Sequence, residues 1–176
     1  MKITEREEKN MLGINLLFAG FALSLNGVSY FVKIDRKMIG FANLIVGLII
    51  ALNSIIGVVQ ASGIADYSNS AGGFLFAVNY ILIFVSHIKE DNFKMFGFFE
   101  LFATIVSIIY AVTTALSGVY ILTYLWAMWA LLWLEGFLDS FCGVKGMSKV
   151  SPIILIANGV LSTFVPGVLI LLGIIL

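Results

Sequence analysis

The chain is short of charge, of histidine and of cysteine, and each shortage removes a class of function. Only 11% of its 176 residues are charged, against about 25% in a soluble domain. Ten basic residues balance ten acidic ones, so there is no basic footprint for nucleic acid. The single cysteine, Cys142, excludes an intrachain disulfide and removes the thiolate clusters that metals favour. The single histidine, His87, ends an apolar run beside a charged loop, where a solvated helix end is expected. No P-loop, no nucleophile beside a base and no cluster at metal-ligand spacing occurs. Catalysis, a cofactor and a resident metal are therefore not expected.

What is abundant is apolar. Hydrophobic residues make up 61% of the chain and mean hydropathy is +1.08, which places it in a membrane. A helix crosses a bilayer core of about 30 Å with roughly 20 apolar residues. Six such runs can be marked, at 11–31, 39–62, 70–88, 95–117, 119–142 and 151–175. Backbone groups in lipid must bond within their own segment, so the runs are predicted helices. The predicted fold is an all-α integral membrane protein, a bundle of six transmembrane helices in 11–176. Residues 1–10 are expected as a polar tail, charge-balanced unlike the basic start of a signal peptide, and 11–31 as a retained first helix.

Lysine and arginine mark the cytoplasmic loops. Lys33, Arg36 and Lys37, then Lys89 and Lys94, then Lys145 and Lys149 lie in alternate connections, and the intervening ones near 62–70 and 116–120 have none. Three hairpins turning in the cytoplasm follow, with both termini and the tail extracytoplasmic.

Polar and aromatic residues within the runs are the candidates for function. Leu12, Leu16, Ala19, Leu23 and Asn26 form one stripe on the first helix; Phe76 and Tyr80 are four apart on the third, with Asn79 beside them. In WAMWALLWLEGF (126–137), Trp126, Trp129 and Trp133 share a face, and Glu135 shares another with Asp139 just beyond it. The indoles either pack a core or line a slot for a small, planar, neutral solute, since an ion loses too much on leaving water. Intramembrane Glu100, Glu135 and Asp139 are functional candidates by default. Because Glu135 points away from Trp126, a structural role between helices or subunits is favoured for it. Asn26 and Asn158 lie at depths like that of Trp133, suggesting a polar cytoplasmic constriction, and Pro166 marks a kink. Three function classes stay open: a passive channel, a proton-coupled carrier using Glu100 and Glu135, and a scaffold with no solute path.

Four blocks, in order, resemble a known family. MLGINLLFAGFALSLNGVSYFVKID (11–35), GFLFAVNYILIFVSH (73–87), WALLWLEGFLD (129–139) and NGVLSTFVPGVLIL (158–171) are similar to the AmiS/UreI family of urea and short-chain amide channels. The resemblance implies three hairpins around a pore in each protomer, six protomers in a ring, and an inner-membrane site. It implies downhill passage of urea or a short-chain amide toward a cytoplasmic urease or amidase. By match of position the pore residues are Leu12, Leu16, Leu23, Phe76, Tyr80, Trp129 and Trp133, with Asn158 where the family's urea channels carry a glutamate. Glu135 stands where a threonine occurs. The external loops lack the histidines of proton-gated members and offer only Asp66. Gating through external histidines is not expected.

Overall fold

The computed structural model describes residues 5–89 and 93–176, and every regular element in them is helical. Lys2 of the expected tail, and residues 90–92 of the second basic loop, lie outside the described residues. The elements are α1 Glu5–Val28, α2 Arg36–Gln60, α3 Ile64–Lys89, α4 Lys94–Leu116, α5 Tyr120–Gly136, α6 Met147–Asn158 and α7 Val165–Leu171. A π-helical turn, Phe137–Phe141, prolongs α5, and a second, Gly159–Phe164, joins α6 to α7. Six spans are long and apolar enough to cross a membrane, the fifth being Tyr120–Phe141 and the sixth Met147–Leu171. α1 runs without a break across the 10/11 boundary drawn from composition.

Local chemistry explains the ends. Asp35 caps α2 by accepting a bond from the Met38 amide at 3.0 Å. Asp66 gathers the turn before α3, accepting from the amides of Ser62 (2.6 Å) and Gly63 (3.1 Å). The kink expected at Pro166 is taken up one turn earlier. Proline donates no bond and its ring would strike the carbonyl four residues back, so the helix widens and the Val165 amide reaches Val160 instead. Hydroxyls take up carbonyls loosened there: Ser162 donates to Asn158 at 2.8 Å and Thr163 to Gly159 at 2.6 Å.

Three hairpins describe the connectivity, but the closest packing joins α2 to α3, α4 to α5, and the sixth span to α1. Small residues at seven-residue spacing make the approach possible, as at Gly13, Gly20 and Gly27 on α1. A Cβ at Gly20 would lie 2.7 Å from the Phe164 amide nitrogen and 2.8 Å from the Gly159 carbonyl oxygen, both backbone atoms that cannot yield. The outward faces are apolar, with Ile45, Leu48 and Leu52 on α2 and Phe98, Phe102 and Ile105 on α4 exposed, as lipid or a neighbouring protomer requires.

Candidate functional site

Two cavities enter the bundle from opposite ends. One, of about 250 Å³, opens at the end of the bundle where α1 begins and is reached by Lys9 and Leu176. The other, of about 470 Å³, opens at the end that carries the basic loops. They are called here the terminal and the basic cavity.

Helix periodicity places the wall between them. On α1 Ala19 lines the terminal cavity and Asn26 the basic one; on α3 the corresponding residues are Phe76 and Ile83; on α5 they are Trp129 and Glu135. The two linings are thus six or seven residues apart along each helix, about 10 Å at 1.5 Å per residue. Leu23, Tyr80 and Trp133 fall inside it and line neither cavity. Tyr80 is 0% and Trp133 1% exposed. Their polar atoms are held: the Tyr80 hydroxyl donates to the Ala19 carbonyl at 3.1 Å, and Trp133 Nε1 donates to Asn79 Oδ1 at 3.1 Å. Phe76 sits edge-on to Trp129 (centroids 4.8 Å apart) and tilted against Trp133 (4.9 Å).

The expected site residues therefore divide. Leu12, Leu16, Phe76 and Trp129 line the terminal cavity; Leu23, Tyr80 and Trp133 form the partition. Asn158 lines neither. It turns into its own helix, donating to the Ile154 carbonyl at 3.2 Å and accepting from Ser162 at 3.0 Å. An asparagine in a helix can bond back to the carbonyl four residues earlier, so the polar constriction expected around Asn158 is not formed by it. Trp126, by contrast, does line the terminal cavity.

The floor of the terminal cavity holds one notable atom. Trp129 is 3% exposed, and its Nε1 has no hydrogen-bond partner. A buried N–H without an acceptor is costly, and here the atom is closed to water, so a solute in the adjoining cavity can reach it only when the packing around the indole shifts. Higher in the same cavity Asn53 donates to Asn15 at 2.7 Å.

The basic cavity is chemically different. Glu100, Glu135 and Asp139 all line it, with Arg36, His87 and Tyr30. Glu135 does not face outward; it is buried, and the Ser151 hydroxyl of α6 donates to it. The carboxyl group of Glu100 occupies the notch left by Gly136, where a Cβ would overlap it. Burial, and then the charges of Asp139, Glu135 and Glu100, raise the Tyr30 phenol above its ordinary value. His87 is half-buried rather than a free solvated end. Its Nδ1 bonds the Ile83 carbonyl at 2.9 Å and its ring stands edge-on to Phe93 at 5.3 Å.

Asn43 escaped the sequence reading. It is fully buried on α2 and pairs reciprocally with Asn26, donating at 2.8 Å and accepting at 3.1 Å. The available signal was an asparagine deep in an apolar run, expensive unless paired.

Comparison with known proteins decides the family. The model of the AmiS/UreI family transporters matches residues 11–174. The chain belongs to that family. The acid-activated urea channel of Helicobacter pylori is 24% identical to this AmiS/UreI chain, over 89% of it and 95% of the channel. A Mycolicibacterium smegmatis protein named as a candidate transporter of amidate substrates is 25% identical, over 93% of this chain and 78% of that protein. The cryo-EM structure of the H. pylori urea channel in a closed state superposes with a TM-score of 0.83 at 22% identity, covering 92% of this chain and 97% of that one. The fold is shared.

Proposed function

We propose that this AmiS/UreI protein is a passive channel for urea or a short-chain aliphatic amide, each protomer carrying its own path. The observation that carries the reading is the unpartnered, buried indole N–H of Trp129 at a cavity whose lining includes the flat rings of Phe76, Trp126 and Trp129. A planar neutral solute can stack there and, once the packing around the indole shifts to uncover the N–H, accept that bond with its carbonyl oxygen. It then passes the partition when Tyr80 and Trp133 swing aside, and leaves through the basic cavity. The names of the relatives, a urea channel and an amidate transporter, agree with this solute class. No energy source is needed for downhill flow.

Lys33, Arg36, Lys37, Lys145 and Lys149 gather at one end of the bundle, so the basic cavity faces the cytoplasm and both termini lie outside. The setting is a bacterial inner membrane, a homo-hexamer is the assembly, and a cytoplasmic urease or amidase consumes the solute. The one histidine lines the cytoplasmic cavity, and Asp66 is engaged in its turn. Flux is therefore expected without gating by external histidines.

The test is stopped-flow light scattering from proteoliposomes, urea against acetamide, at about pH 7.5 and about pH 5. Fast, non-saturating flux at both values, lowered several-fold in Trp129→Phe, supports the channel. No flux above empty liposomes at either pH overturns it.

A further inference from the structure

Asparagines tie α1 to α2 at two depths, and the two ties are not alike. At the basic end the pair is closed. Asn43 donates to Asn26 at 2.8 Å, Asn26 returns the bond at 3.1 Å, and Asn43 also reaches the Ile39 carbonyl at 2.9 Å. Each carbonyl and each amino group of that pair has a protein partner. At the terminal end the pair is open: Asn53 donates to Asn15 at 2.7 Å and no bond comes back. Asn53 Oδ1 and Asn15 Nδ2 make no bond among the described residues, yet neither is sealed from water as Trp129 Nε1 is.

A tie made only to hold two helices together is expected to close, as the deeper pair does, because every unspent donor or acceptor is a bond forgone. The open pair lies where a ligand can use it. Asn15 and Asn53 are half-buried, and both line the terminal cavity of about 250 Å³. Asn15 Nδ2 stands 3.9 Å from the place a Cβ on Gly73 of α3 would take, so no side chain of that residue covers it. The neighbouring Ser54 hydroxyl spends its hydrogen on the Ile50 carbonyl at 2.8 Å and has none to give Asn53 Oδ1. The one bond of the pair also sharpens what is left over. Donating through Nδ2 makes Asn53 Oδ1 a better acceptor, and accepting through Oδ1 makes Asn15 Nδ2 a better donor.

We propose that Asn15 and Asn53 form a binding station for a primary amide or urea in the terminal cavity, ahead of the aromatic floor. The solute's carbonyl oxygen accepts from Asn15 Nδ2, and its N–H donates to Asn53 Oδ1. Both groups of the solute are read together, so a molecule with the carbonyl alone leaves Asn53 Oδ1 without its partner and binds less well. The station thus selects amides by their donor as well as their shape, before the indoles are reached. Its place on a route through the protein rests on the channel reading; the binding does not.

Saturation-transfer NMR on the full, detergent-solubilised chain tests the station without any flux. The probes are acetamide and acetone, which share a shape and a carbonyl while only acetamide has N–H donors. The acetamide methyl signal is expected to saturate with concentration and to be displaced by urea. Acetone should bind about five- to tenfold more weakly. In Asn53→Leu acetamide affinity should fall to the level of acetone, and in Asn15→Leu both should weaken, since both use the carbonyl. Cooperative thermal unfolding certifies each variant, and should neither fold, the acetamide–acetone comparison in the wild type still decides. The proposal is overturned by the absence of saturable acetamide binding, by equal affinity for acetone, or by an Asn53→Leu variant that binds acetamide as before. Displacement by glycerol as effective as that by urea also overturns it. Proteoliposome flux, measured separately, decides the channel reading: acetamide binding with no flux keeps the station and sinks the channel, whereas flux with equal acetamide and acetone binding does the reverse.

Discussion

The terminal and basic cavities share a frame and differ in chemistry. Each holds an asparagine of α1 bonded to one of α2: Asn15 to Asn53 at the terminal end, Asn26 to Asn43 at the basic end. These amide pairs tie the splayed α1–α2 hairpin together at two depths. Beyond that likeness the terminal cavity narrows onto indoles and Phe76, whereas the basic cavity gathers Glu100, Glu135 and Asp139. The partition therefore separates two environments of different chemistry. Above it aromatic rings form the floor, and below it three carboxyl groups line the wall, close to the basic loops.

The partition is where this comparison breaks most easily. Trp133→Ala removes the largest fully buried side chain and should cost about 3–5 kcal/mol of stability. In protein that still folds, the cavities merge. Proteoliposome flux should then lose its discrimination between urea and larger polyols such as glycerol; unchanged discrimination would place the barrier elsewhere. Gly20→Leu attacks the frame instead. With backbone atoms 2.7–2.8 Å from the new Cβ, it should destabilise by about 3 kcal/mol. Thermal unfolding reads this, and a normal midpoint would show that α1 and the sixth span are not so tightly joined.

The two amide pairs allow a finer comparison. Asn43→Leu breaks a reciprocal pair whose member is wholly buried, and should cost about 1–3 kcal/mol. Asn53→Leu removes a single bond at a half-buried site and should cost less than that. Equal losses would mean that burial does not distinguish the two ends. The smallest effect is electrostatic. The Tyr30 phenol is raised by burial and by the three carboxylates of the basic cavity. Its folded value lies above the unfolded one, so its contribution to stability is complete below about pH 10. That contribution is lost as pH rises through the folded value. The phenolate absorbance lost in Tyr30→Phe should titrate above about pH 10, and Asp139→Asn should lower the midpoint. A midpoint that ignores Asp139 would separate Tyr30 from that carboxylate's field.

Much of this was legible along the chain. Six apolar runs had to become helices because lipid offers no partner to an open backbone. Phe76 and Tyr80, or Trp129 and Trp133, had to share a face because 3.6 residues make a turn. The edges were less certain. The start of α1 at Glu5 lies inside a segment that composition marks only as polar, and α5 ends in a π turn that no local pattern announces.

What the sequence by itself determined is the number of spans, the end on which the basic loops lie, and the faces that carry aromatics. Each depends only on neighbours within a turn or two. The tertiary structure alone decided which residues on those faces line a cavity and which block it. It seated Tyr80 and Trp133 in the partition, turned Asn158 back onto its own helix, and matched Asn43 with Asn26 across 17 residues. It also brought Glu100 from α4 to the cavity that holds Glu135 from α5. Those choices depend on how closely whole helices approach, set by glycines such as Gly20 and Gly136 pressed against backbone or carboxyl atoms of another helix. Helical periodicity gives the direction of a side chain about its own axis, but the partner it meets there is chosen by the packing of the bundle.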